Sequence, residues 1–247
     1  MTSKKELKRV LFIPDQHFPY NDKRYWKLLL KVCNSLKFEV IVIQGDFLDC
    51  YTISSHSKDP TRKRLLLEEI QPAKKALREL EAFGSKRLIF LEGNHEDRLK
   101  RYIIDRAPEL YGCITLDKLL ELDKWEFVPY KQFKTLGQLF MAHDVDYAGR
   151  AAMFQTLDSV QDNIVFGHTH RLGVIYQGSA IGVAHVAMNT GWGGDSESID
   201  YRKRLKVNKE WMLGFGIGYL DPQGVVHCQP IPVINYKVVV EGQLFKG

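Results

Sequence analysis

Apolar residues recur along the chain in short runs, each closed by a glycine, a proline or a polar residue. Residues 10–13 form one such run, closed by Pro14; residues 40–43 form a β-branched run ahead of Gly45, and residues 88–91 a third ahead of Gly93. Apolar runs this short, bounded by breakers, predict buried strands. Between them the period changes. Trp26, Leu29, Leu30 and Cys33 fall on one face of a helix predicted over 26–36. Residues 65–83 carry a second helical pattern, in which Pro72 is expected to kink or restart the helix. This β-α-β-α-β order predicts a parallel sheet flanked by helices.

Beyond residue 98 the pattern loosens. A helical stretch over 98–122 is broken by Pro108 and Gly112. Strand-like runs follow at 139–142, 164–166, 174–177, 183–188, 214–220 and 225–240, with a helix at about 148–157. They predict a second, more antiparallel sheet. Two sheets packed face to face with helices outside give an α/β fold, a four-layer αββα sandwich of two mixed β-sheets. The 247 residues fit one such domain, 1–247, with no repeat and no convincing linker. Residues 54–60 and 192–209 are the expected mobile loops.

Charge adds a hint about partners. The net charge of +5 is modest but clustered, at Lys4, Lys5, Lys8 and Arg9, at Arg62 to Arg64, at Arg98, Lys100 and Arg101, and at Arg202 to Lys206. Such clusters suit a polyanion such as nucleic acid, or simply a solvated surface. Cys33, Cys50, Cys113 and Cys228 form no CxxC pair and read as free thiols in a reducing compartment. The start of the chain is polar and lysine-rich, and no apolar run approaches a membrane span. A soluble, cytoplasmic protein with no membrane partner is expected; oligomeric state is not legible.

The chemistry lies at the ends of the apolar runs. Five polar signatures appear there in order: Asp15-Gln16-His17, Gly45-Asp46-Phe47-Leu48-Asp49, Gly93-Asn94-His95-Glu96, His143, and Gly167-His168-Thr169-His170. Together they hold five of the eight histidines, three aspartates and an asparagine. In an extended segment residues two apart face the same way, so Asp15 with His17, and His168 with His170, can grip an ion. The second pair can equally be turned toward neighbouring ions. A carboxylate such as Asp46 has two oxygens and can bridge two cations about 3.5–4 Å apart. Nitrogen and oxygen donors without thiolates favour Mn, Fe, Zn or Ni. His56, His185 and His227 match no signature; the first follows Asp49 closely enough to reach the site, and the other two read as structural.

The order and spelling of these signatures resemble the calcineurin-like metallophosphoesterases, from residue 10 to about 190. The resemblance implies two divalent ions, Mn foremost, with Asp15, His17 and His170 on the first, Asn94, His143 and His168 on the second, and Asp46 bridging. It implies that His95 donates a proton to the leaving group, that Asp49 orients His95, and that a metal-bridging hydroxide is the nucleophile. The local pattern departs once, at Ala142, where the family usually has glycine before the histidine. Protein phosphatases of this superfamily carry arginine at positions matching Cys50 and Glu92, and both are absent here. The stretch 93–110 looks like phage-encoded and bacterial members, many regarded as nuclease-like. A phosphodiesterase acting on nucleic acid or nucleotides is therefore expected, with Arg98, Arg101 and His56 as substrate contacts. The alternatives are a phosphomonoesterase or protein phosphatase, and a non-catalytic scaffold such as the retromer subunit of this fold. The complete donor set speaks for the enzyme.

Overall fold

The computed structural model describes residues 7–59, 62, 65–178, 180, 182, 184–198 and 210–247. The chain runs β1 (Lys8–Ile13), α1 (Lys23–Leu36), β2 (Val40–Ile43), α2 (Leu66–Glu81) and β3 (Arg87–Leu91). Then come α3 (Asp97–Arg106), a short 3₁₀ turn at Pro108–Leu110, α4 (Leu116–Leu120) and β4 (Glu126–Val128). A second stretch gives β5 (Lys134–Leu136), β6 (Leu139–Met141), α5 (Ala152–Val160), β7 (Ile164–Phe166), β8 (Leu172–Gly178) and β9 (Ala184–Thr190). The chain ends with β10 (Gly214–Leu220), β11 (Val226–Pro232), β12 (Lys237–Val240) and β13 (Gln243–Lys246).

Two mixed sheets result. The first has the order β11-β10-β1-β2-β3-β4, the second β5-β6-β7-β9-β8, and β12-β13 stand apart as a hairpin. Alternation along the strands sets the layers. Leu11, Ile13, Ile41, Ile43, Leu88 and Phe90 pack with Tyr25, Leu28, Leu77 and Leu80 of α1 and α2. Their neighbours Val10, Phe12, Val40, Val42, Ile89 and Leu91 pack with Met141, Val165, Val186 and Met188 of the other sheet. Ile164, Phe166 and Ala187 turn outward onto Leu157 of α5. Strands covered on both faces must be apolar throughout, which is why the first three runs show no alternation.

The four-layer expectation therefore holds, with three adjustments. β10 and β11 do not join the second sheet. They pair antiparallel to β1 and to each other, completing the first. Pro72 does not interrupt α2, because Ile70, Ala73, Leu77 and Leu80 continue one buried stripe across it. β4, β5 and β13 carry too few apolar residues to be seen as runs. The expected loops at 54–60 and 192–209 lie partly outside the described residues, as do the basic residues Lys4, Lys5, Lys63, Arg64 and Arg202 to Lys206. All four cysteines are free, with only Cys113 exposed. No described helix is long and apolar enough to cross a membrane.

One buried polar contact ties a helix to the sheet beneath the site: the Tyr25 hydroxyl, fully buried, donates to the Gly214 carbonyl at 2.7 Å. Tyr25→Phe should cost about 1–2 kcal/mol by leaving that carbonyl unpaired. Tyr25→Ala should cost about 3–5 kcal/mol, since a cavity is added. Urea unfolding of both variants tests this, and a Tyr25→Phe variant as stable as the parent would mean that the hydrogen bond contributes nothing.

Candidate metal centre

β1, β2 and β3 run parallel in the first sheet, and β6 and β7 run parallel in the second. Each of the five signatures follows the carboxyl end of one of these strands, where open α/β sheets bind ligands. The connecting loops are stitched together. Gln16 and His17 both donate backbone N–H to the Asp46 carbonyl at 2.9 Å, and Phe18 donates to Phe47 at 2.8 Å.

Convergence depends on unusual backbone. His17, Asp46, His168 and His170 all have positive φ, at 54°, 46°, 65° and 59°. The two-apart pairs are thus not extended, contrary to expectation; left-handed turns aim the side chains instead. Such conformations cost of order 1–3 kcal/mol each and persist where the surroundings over-determine them. Here they separate the last pair: His170 joins Asp15, His17 and Asp46, while His168 joins Asp46 and His143. In each group the candidate donor atoms lie within 4.8 Å of one another. Asp46 belongs to both.

The atoms meet as ligands around a cation would. His143 Nδ1 lies 2.7 Å from the Gln44 carbonyl, which only accepts, so this nitrogen carries a proton, and in the neutral ring Nε2 is the one with the lone pair. Nε2 then faces the Asn94 Oδ1 at 3.0 Å and the Asp46 Oδ2 at 3.4 Å, three acceptors pointing at one space. His168 Nδ1 approaches the same Asn94 oxygen at 2.9 Å. On the other side, His17 Nδ1 faces the Asp49 Oδ2 at 3.2 Å, leaving Nε2 toward His170 Nε2 at 3.2 Å. Asp15 Oδ2 is buried 3.1 Å from His170 Nε2, yet outside hydrogen-bonding geometry. A cation placed among these atoms removes each conflict, and the mixed N/O donors suit a divalent transition metal.

Electrostatics points the same way. Burial would raise the Asp46 carboxyl, but His143, His95 and His17 hold it well below the usual range. Asp15 and Asp49 are likewise held down against burial by neighbouring imidazoles. Burial opposes a charge on His143, but the Asp46 carboxylate outweighs it and raises the ring to about 10. A space that holds a proton so firmly also favours a metal cation.

Residues without a sequence-derived role hold this geometry. The fully buried Glu96 carboxylate accepts the backbone N–H groups of Leu48 at 2.7 Å and of Asp46 and Gly93 at 2.9 Å, fixing two signatures to each other. Asn189 of β9 donates to the Gly167 carbonyl at 2.6 Å. Trp192 stacks on His170 with centroids 5.5 Å apart, and Trp211 meets the same ring edge-on at 4.3 Å. Trp192 and Phe215 are buried and serve packing. Where a glycine precedes a ligand it has a steric cause. A Cβ on Gly93 would run into Asp46 Oδ1, and one on Gly45 into the His143 ring. Only the Glu96 role had a cue, its place in the Gly93-Asn94-His95-Glu96 signature.

The remaining expected site residues fall as follows. His95 is buried against His17, ring centroids 4.5 Å apart, and its Nδ1 lies 3.1 Å from the Asp49 backbone carbonyl. The Asp49 carboxylate is farther from that nitrogen, at 3.6 Å, and closer to His17. Asp49 thus serves His17 with its side chain and His95 with its backbone. Arg98 is not free on a surface. It donates to the Asp49 carbonyl at 2.9 Å and lies 3.1 Å from His95 Nε2. Arg101 donates to the Asn94 carbonyl at 2.9 Å and pairs with Asp97. His56 is exposed at the rim of the adjoining cavity. His185 is half-buried on β9, and His227 lies exposed beside Asp221. Cys50 is buried, and Glu92 accepts from the Tyr130 N–H at 2.9 Å, so neither position offers a substitute for the absent arginines.

With fold and site in view, the chain belongs to the calcineurin-like phosphoesterases, whose family model matches residues 8–172. Among individual proteins it is similar to the gene 54 protein of Mycobacterium phage L5, 20% identical over 97% of this chain and 99% of the relative. The gene 54 protein of Mycobacterium phage D29 is 21% identical over the same shares. Among solved structures, vacuolar protein sorting 29 from Cryptosporidium parvum matches with a TM-score of 0.48 and 15% identity, over 97% of this chain and 95% of that one. The E. coli phosphoesterase YfcE matches with a TM-score of 0.46 and 15% identity, over 92% and 100%.

Two tests follow from this geometry. Because the Asp46 carboxylate raises His143 to about 10, favouring a second proton on Nε2 when no metal is bound, and a ligating imidazole must be neutral, Mn²⁺ binding should release protons. Calorimetry in buffers of different ionisation enthalpy reads this directly; binding without release would contradict it. Gly93→Ala should lose metal affinity through displacement of Asp46, whereas Gly84→Ala, where a Cβ meets nothing within 4 Å, should not. Metal retained by Gly93→Ala would show that the close approach is not required.

Proposed function

We propose that the protein is a metal-dependent phosphoesterase with a dinuclear site, acting on phosphodiesters of nucleic acid or nucleotides. Asp15, His17, Asp46 and His170 would hold one ion and Asp46, Asn94, His143 and His168 the other, with manganese as the first candidate metal. The observation that carries this reading is the sharing of Asp46 between two donor groups, with His95 packed beside both. A non-catalytic scaffold would have no use for a complete set of buried, mutually repelling donors.

When bound, the ions supply positive charge and an activated water. The chain's own residues do the rest. His17 is kept in one tautomer by the Asp49 carboxylate, and His143 by the Gln44 carbonyl, so that each presents a lone pair inward. His95 Nε2 lies 3.8 Å from the Asp46 carboxylate and 3.1 Å from the Arg98 guanidinium, while Nδ1 is engaged by the Asp49 carbonyl. In that position it can hold the proton that goes to the leaving oxygen. The diester preference is supported by positions 50 and 92, where the guanidinium groups that clamp a dianion are missing. A diester carries one negative charge and requires less neutralisation.

His95→Ala should retain metal and lose roughly 10²–10⁴ in rate on substrates with a poor leaving group. On bis-p-nitrophenyl phosphate, whose leaving group departs without help, the loss should be smaller. Equal losses on both would assign His95 a merely positional role. Asp49→Asn should differ in kind, weakening metal binding as well as rate because it acts on His17. Retention of full metal affinity by Asp49→Asn would contradict the tautomer argument. Faster turnover of p-nitrophenyl phosphate than of any diester would replace the diester reading with a monoesterase.

A further inference from the structure

Beside Asn94 and His168 the site opens into a cavity of roughly 490 Å³. Small-ligand pockets typically occupy ~300–1,000 Å³. Three cations line it, and each is already matched. Arg98 lies against Asp49, with its side chain only 13% exposed. Arg101 pairs with Asp97 at 2.8 Å. Lys131 pairs with Asp144 at 3.1 Å and also with Asp146. Of these carboxylates, Asp97, Asp144 and Asp146 are themselves in the lining. The cavity is therefore close to neutral, although the sequence places arginines around it.

Its remaining lining is rich in neutral hydrogen-bonding groups. Tyr130, Tyr147, Ser55 and His56 line it. Tyr130 donates to Asp144 at 2.6 Å, which fixes that wall. Phenols and hydroxyls recognise a hydroxylated or heterocyclic ligand, and the aromatic faces accept a ring. A second phosphate entering here would meet carboxylates already paired with the cations it needs. A strand of nucleic acid draws its affinity from serial phosphate neutralisation, which this wall does not offer.

We propose that this cavity is the subsite for the alcohol half of a small phosphodiester, a single nucleoside or sugar, and that the substrate is a small ester rather than a polynucleotide. The inference rests on the phosphoesterase reading above and narrows its substrate class. Hydrolysis adds the oxygen of water to phosphorus and breaks the P–O bond to the alcohol. One water proton ends on the departing oxygen, giving a monoester and a free alcohol in the cavity. Arg98, which lines the cavity and lies 3.1 Å from His95 Nε2, marks its phosphate end. On this proposal Arg98 and Arg101 do not grip a polymer.

The test compares, on the Mn²⁺-loaded protein, a dinucleoside monophosphate with a single-stranded oligonucleotide across a range of salt. Bis-p-nitrophenyl phosphate serves as the arm for the phosphoesterase reading itself. The expected result is a kcat/KM at least roughly tenfold higher for the dinucleoside monophosphate, with a KM that moves little with salt, as a single phosphate contact requires. Free nucleoside should inhibit competitively. An oligonucleotide that is preferred, with a KM rising steeply with salt, overturns the proposal. If bis-p-nitrophenyl phosphate is not hydrolysed, the phosphoesterase reading fails. Calorimetry of the dinucleoside monophosphate and the oligonucleotide on the same protein then still decides what the cavity accepts. Asp146→Lys, on an exposed rim position, should tighten oligonucleotide binding and make it salt-dependent. If it leaves oligonucleotide binding unchanged, charge balance is not what excludes polymers.

Discussion

The structure is organised around an electrostatic conflict in a buried space. Asp15 and Asp46 are almost wholly removed from solvent and face imidazole lone pairs and an amide oxygen at about hydrogen-bonding distance. Acceptors do not pack against acceptors in a dry interior unless something positive lies between them. Protons can partly meet that need, as on His143, and a pair of metal cations meets it fully. Everything nearby keeps the conflict in place: Glu96 straps the Asp46 and Gly93 loops together, and Asn189 holds the Gly167 turn. Two indole rings enclose His170.

That geometry also accounts for the local strain. Four of the seven proposed ligands sit in left-handed backbone, and none is a glycine. Histidine and aspartate tolerate this region better than most residues, but the conformation still costs energy. The two sheets meet the cost by fixing the start of each loop at the end of a largely buried strand. Local distortion at the strand ends is thus sustained by regular packing beneath them.

Much of this was legible in the sequence, for identifiable reasons. Strands covered on both faces show as unbroken apolar runs, so β1, β2 and β3 could be placed almost to the residue. The signatures at their ends were legible because ligand chemistry restricts residue type. Glycines 45 and 93 were part of the pattern because no Cβ fits beside His143 or Asp46. What stayed hidden depended on partners distant in sequence. β10 reads as any exposed-or-buried strand, and only the open edge of β1 assigns it to the first sheet. Arg98 and Arg101 look like a basic patch until Asp49, Asn94 and Asp97 are seen around them. The family resemblance gave Asp49 to His95. The structure divides Asp49 between two histidines, because its carboxylate and its carbonyl point in different directions.

The central claim is that the two donor groups sharing Asp46 are a pair of metal positions. Anomalous diffraction from crystals grown with Mn²⁺ tests it most directly. The account predicts two peaks, one among Asp15, His17, Asp46 and His170 and one among Asp46, Asn94, His143 and His168. Crystals with no anomalous peak at these side chains, or with a single ion that does not touch Asp46, would contradict it.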